Sequence, residues 1–116
     1  MSDHALKINV STIAGAVVIA PQGDVDLNAS PMLKVELKRS AAAVPPPSRL
    51  IVDLSGVSYM DSSGLATLVE ALQAARKGQH KLIVCGLQPR VRAIFDIAKL
   101  AMVFSITSTV EQALSA

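Results

Sequence analysis

The chain has 116 residues, of which 51% are hydrophobic and 17% charged, so it is too short for two cores and too apolar to be disordered. The expectation is a single domain over residues 1–116. Eleven Lys and Arg against nine Asp and Glu leave a formal charge of +2, too balanced for a phosphate-binding stripe, which argues against nucleic acid as a partner.

Leu6, Ile8 and Val10 alternate with Lys7, Asn9 and Ser11, the pattern of a half-buried strand. Ala14-Gly15 supplies a turn, and Ala16–Ala20 reads as a second strand, so the chain opens on a hairpin. Pro21–Asp26 breaks that pattern. Ser30-Pro31 starts a helix, with Ser30 as the cap and Pro31 at the first helical position. Leu33, Leu37 and Ala41 form its apolar stripe, and Pro45-Pro46-Pro47 stops it near Val44. Leu50-Ile51-Val52 is wholly apolar, as in a strand covered on both faces. Asp53–Asp61 connects it to a second helix running from Ser62 or Ser63 to Lys77, with Leu65, Leu68, Val69, Leu72 and Ala75 on one stripe and Gly78 at the C-terminal cap. Leu82–Cys85 is another buried strand. Pro89 opens a third helix whose Val91, Ile94, Phe95 and Ala98 face inward, and Val103–Ile106 forms a last strand. Ser108-Thr109-Val110-Glu111 has capping-box spacing for a final helix with Val110, Ala113 and Leu114 on its apolar face. The order β-β-α-β-α-β-α-β-α predicts an α/β fold, a mixed but mostly parallel sheet with an initial hairpin and about four helices.

A mean hydropathy of +0.45 invites a membrane reading. The longest apolar stretches, Ile13–Ala20 and Leu82–Leu87, fall far short of the roughly 20 residues a span needs, so direct membrane insertion is not expected. Met1-Ser2-Asp3-His4 lacks the basic region of a signal peptide, which predicts a cytoplasmic chain. The lone cysteine, Cys85, is too little for a disulfide framework or a metal cluster, and no metal or cofactor is expected.

The catalytic inventory is thin. The phosphate loop, the dinucleotide fingerprint and the Gly-x-Ser-x-Gly elbow are all missing from the sequence. The two histidines are His4, at a frayed start, and His80, in a turn about four helical turns, some 20 Å, from Ser62. A small serine hydrolase therefore lacks a placed base, and the expectation is that the chain is not an enzyme. Cys85 lies inside an apolar strand and reads as an inert thiol. Arg76, Lys77, His80 and Lys81 complement a helix C-terminus better than they form a phosphate or acidic-lipid site.

One feature is sharper. Tyr59-Met60-Asp61-Ser62-Ser63-Gly64-Leu65 joins a buried strand to the start of the strongest helix. On spacing alone an Asp-Ser pair here is a helix cap. The same physics suits modification, because a phosphate on a serine at this end is stabilised by the helix N-terminus. It would bring about −1.5 to −2 charges beside Asp61 and repel a partner matched to a neutral hydroxyl.

Leu50–Leu65 as a whole resembles the signature of the STAS domain, most closely that of the bacterial anti-sigma factor antagonists. Gly23-Asp24-Val25-Asp26 resembles the family's turn after the second strand. Leu82–Val91 is similar to its next strand and loop, and Ile94–Leu100 to its third helix. Two places depart from the family pattern: Lys99, where a glycine is common, and the apolar, proline-rich Ala41–Pro47.

The resemblance implies a protein that binds a cognate anti-sigma factor, itself a serine kinase of the histidine-kinase-like ATPase type, and so frees the target of that factor. The kinase phosphorylates the motif serine and releases the antagonist, and a PP2C-type phosphatase resets it. Carried over by position, the phosphoacceptor is Ser62, with Ser63 as a neighbouring or secondary position. Asp61 contacts the partner or orients the serine. Asp26 and, less closely matched, Asp24 help form the partner-binding face. Met60, Gly64 and Leu65 complete it, and Met60, Leu65 and Val25 are expected to stand exposed as an apolar patch. The alternative implied by the resemblance is an accessory subunit of a membrane transport system for lipids or anions.

Overall fold

The computed structural model describes residues 6–116, and the expectations for Met1–His4 lie outside them. Five strands and four helices follow in the predicted order: β1 (Lys7–Ile13), β2 (Ala16–Gln22), α1 (Ser30–Ala41), β3 (Arg49–Asp53), α2 (Ser62–Lys77), β4 (Lys81–Cys85), α3 (Pro89–Ile97), β5 (Ser105–Thr107) and α4 (Val110–Leu114). The strands lie side by side in sequence order. β1 runs antiparallel to β2, and the other three pairings are parallel.

That order fixes where the helices go. Right-handed crossovers between successive neighbours all land on one face of a sheet. Accordingly Leu33 and Leu37 of α1, Leu65, Leu68 and Leu72 of α2, and Val91 and Phe95 of α3 share one core with Ile19, Leu50, Val52, Leu82 and Val84. The opposite face, built from Ala16, Val18, Ile51, Ile83 and Cys85, packs against α4 through Ala113, Val110 and Leu114. Ala116 is held over this face by the side chains of neighbouring strands. Its carbonyl accepts hydrogen bonds from Arg49 Nη2 at 2.8 Å and Lys81 Nζ at 2.9 Å.

Several boundaries differ from the sequence expectation, each for a physical reason. β2 continues through Pro21 to Gln22. Its ladder to β3 covers only Val17–Ile19, so Pro21 has β1 alone as a neighbour and its missing N–H breaks no central ladder. β1 is an edge strand and is mostly exposed rather than half-buried, Ile8 alone being partly covered. Ala29, not Ser30, is the N-cap of α1, and that helix ends at Ala41. Ala98 does not face inward: it is the exposed C-cap residue of α3. Val103 and Phe104 precede β5 in a turn, where Phe104 meets Phe95 edge-on with ring centroids 5.3 Å apart. The capping box of α4 is shifted one residue along. Thr109 Oγ1 accepts from Gln112 N, and Gln112 Oε1 accepts from Ser108 N. No helix of the described residues is long and apolar enough to cross a membrane.

Candidate functional site

The site forms where two loops meet at one end of the sheet. After β2 the chain passes through Gly23–Ala29, and after β3 through Leu54–Asp61. Gly23 N donates to Gly56 O at 3.1 Å, Val25 N to Tyr59 O at 3.0 Å and Asp61 N to Val25 O at 3.2 Å. The last two bonds make a short parallel bridge between Val25 and Met60. Both side chains are fully buried, and Leu65 is only 7% exposed. The expectation of an apolar patch formed by Met60, Leu65 and Val25 is therefore corrected: the bridge turns Val25 and Met60 into the core, and Leu65 joins them on the buried face of α2.

Gly64 shows how tightly α2 is driven into this bridge. A Cβ placed there would lie 2.7 Å from Val25 O and 2.8 Å from Met60 Cγ. Glycine is needed at this position for close approach rather than for an unusual backbone angle.

Asp61 stands at the junction. Its backbone is extended and it caps α2. Oδ1 accepts from Ser63 N at 2.9 Å, from Gly64 N at 3.2 Å and from the Ser63 hydroxyl. Oδ2 accepts from Leu27 N at 3.1 Å, across to the other loop. The Ser63 hydroxyl does most to hold the Asp61 carboxyl below the ordinary value of 3.8. Burial pulls the other way, and the N–H groups of Gly64, Ser63 and Leu27 add to the lowering.

The two serines consequently differ. Ser63 is half-buried with its hydroxyl committed to Asp61. Ser62 is exposed at the first helical position, and its hydroxyl has no hydrogen-bond partner among the described residues. Because Asp61 has taken over the capping, the Ser62 oxygen is left on the surface beside a helix N-terminus.

The other two acidic positions, Asp24 and Asp26, lie on the loop after β2. Asp26 Oδ1 accepts from Asn28 N at 3.1 Å and Ala29 N at 2.9 Å, which shapes the turn into α1. Asp24 Oδ1 accepts from the Ser58 hydroxyl at 3.3 Å. Arg90 of α3 lies over the Tyr59 ring, 5.8 Å from its centroid. The sequence reading did not single out Leu27, which is 72% exposed between Asp26 and Asn28. An apolar residue inside a polar loop is the signal that marks it.

Other candidates do not join this constellation. Burial, aided by the Asp53 charge, pushes the Cys85 thiol up to about 12 and keeps it inert. Arg76 and Lys81 of the basic cluster are engaged with the carbonyls of Val103 and Ala116. Among the described residues no group of His, Cys, Asp and Glu is arranged to hold a metal ion.

The family model of the STAS domain matches residues 7–113, and the chain belongs to that family. It is 34% identical over 84 residues to the anti-sigma-B factor antagonist of Listeria monocytogenes, covering 72% of each chain. In fold it is similar to an anti-sigma factor antagonist from Mycobacterium paratuberculosis, with a TM-score of 0.86 and 24% identity over 98% of this chain and 95% of that one. The fold is likewise that of the Bacillus cell fate determinant SpoIIAA in its phosphorylated form, with a TM-score of 0.71 and 20% identity over 94% of this chain and 97% of that one.

Proposed function

We propose that the chain is an anti-sigma factor antagonist whose binding face is switched off by phosphorylation of Ser62. It is a binding protein without a reaction of its own, acting in the cytoplasm on an anti-sigma factor that is also a serine kinase of the histidine-kinase-like ATPase type. A PP2C-type phosphatase removes the phosphate. The observation that carries this reading is the division of labour at the head of α2: Asp61 caps the helix and binds the Ser63 hydroxyl, while the Ser62 hydroxyl stays exposed and unengaged. A serine that capped the helix itself would give up that bond on modification. Ser62 gives up nothing, and its phosphate gains the helix N-terminus.

Asp24, Asp26 and Asp61 are the polar contacts of the proposed face. Met60, Gly64 and Leu65 act from beneath by fixing the loop. A doubly charged phosphate among these carboxylates repels a partner that had matched a hydroxyl.

The test has two parts. Tagged chain is used to capture partners from native lysate with and without ATP, and the captured ATPase is then purified and incubated with chain and ATP. Mass spectrometry should place one phosphate on Ser62. Ser62→Ala should accept none and remain bound, and Ser62→Asp should bind poorly. Phosphate carried by another residue in the wild-type chain would remove the switch assignment.

A further inference from the structure

The loop between β2 and α1 holds a leucine out into water by an unusually complete set of backbone bonds. Leu27 N donates to Asp61 Oδ2, and Asn28 N and Ala29 N donate to Asp26 Oδ1. Ser30 N donates to Asp26 O at 2.8 Å. Every backbone N–H from Leu27 to Ser30 is thus engaged, yet the Leu27 side chain is 72% exposed. An isolated surface leucine needs no explanation. A leucine pinned on a fixed loop, tied through Asp61 to the cap of the serine-bearing helix, is a preorganised contact that loses little freedom on binding.

Its surroundings indicate what it fits. The Asp24, Asp26 and Asp61 carboxylates lie on the two loops that carry it, and among the described residues none of them is in a salt bridge. Met32, in the first turn of α1, adds a second half-exposed apolar side chain. The other large apolar side chains exposed by more than half are Val35 within α1, Val44 beyond its end, and Ile97 and Met102 at and beyond the end of α3, none of them on the two loops that carry these carboxylates.

We propose that Leu27 is the apolar anchor by which this chain grips its anti-sigma factor. It enters an apolar pocket on that partner whose rim carries lysine or arginine side chains facing Asp24, Asp26 and Asp61. This rests on the function proposed above and names the residue and the partner chemistry that give it affinity. A central apolar anchor with a charged rim divides the work, the anchor setting the dissociation rate and the rim the association rate.

The experiment is calorimetry and stopped-flow binding with the purified ATPase-type anti-sigma factor captured by the wild-type chain. Leu27→Ala should weaken binding about 10- to 100-fold, mainly through faster dissociation, with an unchanged unfolding curve. Leu27→Met should bind within about threefold of wild type. Met102→Ala, an exposed apolar control, should bind as wild type. Asp24→Asn and Asp26→Asn should slow association and flatten its salt dependence. Leu27→Ala binding as tightly as wild type overturns the anchor while leaving the antagonist reading intact, whereas a wild-type chain that binds no such ATPase overturns both. A wild-type dimer in sedimentation that Leu27→Ala dissolves also overturns the proposal, since Leu27 would then be covered by a second copy.

Discussion

Helices α1 and α2 both begin with a serine, and the two serines have opposite fates. Ser30 is 6% exposed, and its backbone N–H is taken by the Asp26 carbonyl. Ser62 is exposed, because Asp61, one residue earlier, supplies the cap. In α1 the acidic residue lies four positions before Ser30 and shapes a turn by accepting from Ala29 N, and Ala29 at the cap position has no side chain to accept from the helical N–H groups. In α2 the acidic residue is adjacent and binds the first helical N–H groups directly. A serine at a helix start is freed for modification when a neighbour has already satisfied the helix end. It is hidden when the preceding turn folds over it.

The largest effect that tests this contrast comes from Gly64→Ala. The third helical position of α2 is driven against Val25 and Met60, while the same position in α1 is the half-exposed Met32. By helix propensity alone the alanine would add about 1 kcal/mol. The added methyl, however, would sit 2.7 Å from a backbone oxygen that cannot swing away. The net change in urea unfolding should be a loss of about 1–3 kcal/mol. A gain would mean that α2 is not held against the Val25–Met60 bridge.

Asp61→Ala comes next. It removes the cap from Ser63 and Gly64 and the tie to Leu27 together, and should cost about 1–2 kcal/mol. Ser62→Ala should be smaller still, within about 0.5 kcal/mol of wild type, because its hydroxyl holds nothing. If Ser62→Ala cost as much as Asp61→Ala, the serine rather than the aspartate would be the cap. The same contrast predicts that kinase and ATP modify Ser62 and leave the buried Ser30 untouched in the folded chain, read by phosphosite mapping.

These two helix starts also show what a sequence carries and what it omits. The α/β order, the initial hairpin and the limits of α2 followed from periodicity, proline and glycine. The identity of each cap did not, because Asp and Ser accept the same hydrogen bonds. At α1, Asp26 uses both its carboxylate and its carbonyl on the residues just before and at the helix start, a contact across three and four residues that spacing does not reveal. At the motif, the apolar character of Met60 and Leu65 was plain, but their side was not. Only the pairing of Val25 with Met60, 35 positions apart and outside any regular strand, turns Met60 inward, whereas Leu65 is buried with the α2 stripe it shares with Leu68 and Leu72. Leu27 was missed for the complementary reason. Its backbone is tied to Asp61, a residue of the other loop, a contact that spacing does not reveal.

The smallest predicted effect is the most discriminating between the two motif serines. Asp61 in the folded chain titrates below 3.8, with the Ser63 hydroxyl as the largest cause. A carboxyl whose folded pKa is lowered binds its proton less readily folded than unfolded. Its contribution to stability is therefore complete above the unfolded value and is lost as pH falls through the folded one, a window lying below pH 3.8. NMR titration of the Asp61 carboxyl carbon should show a midpoint in that window. Ser63→Ala should raise the midpoint toward 3.8, since it deletes the strongest bond to the charged form. Ser62→Ala should leave it where it was, because that hydroxyl does not touch the carboxylate. The reverse pattern, with Ser62→Ala moving the midpoint and Ser63→Ala not, would exchange the roles of the two serines. Ser63 would then be the free hydroxyl and the better candidate for modification.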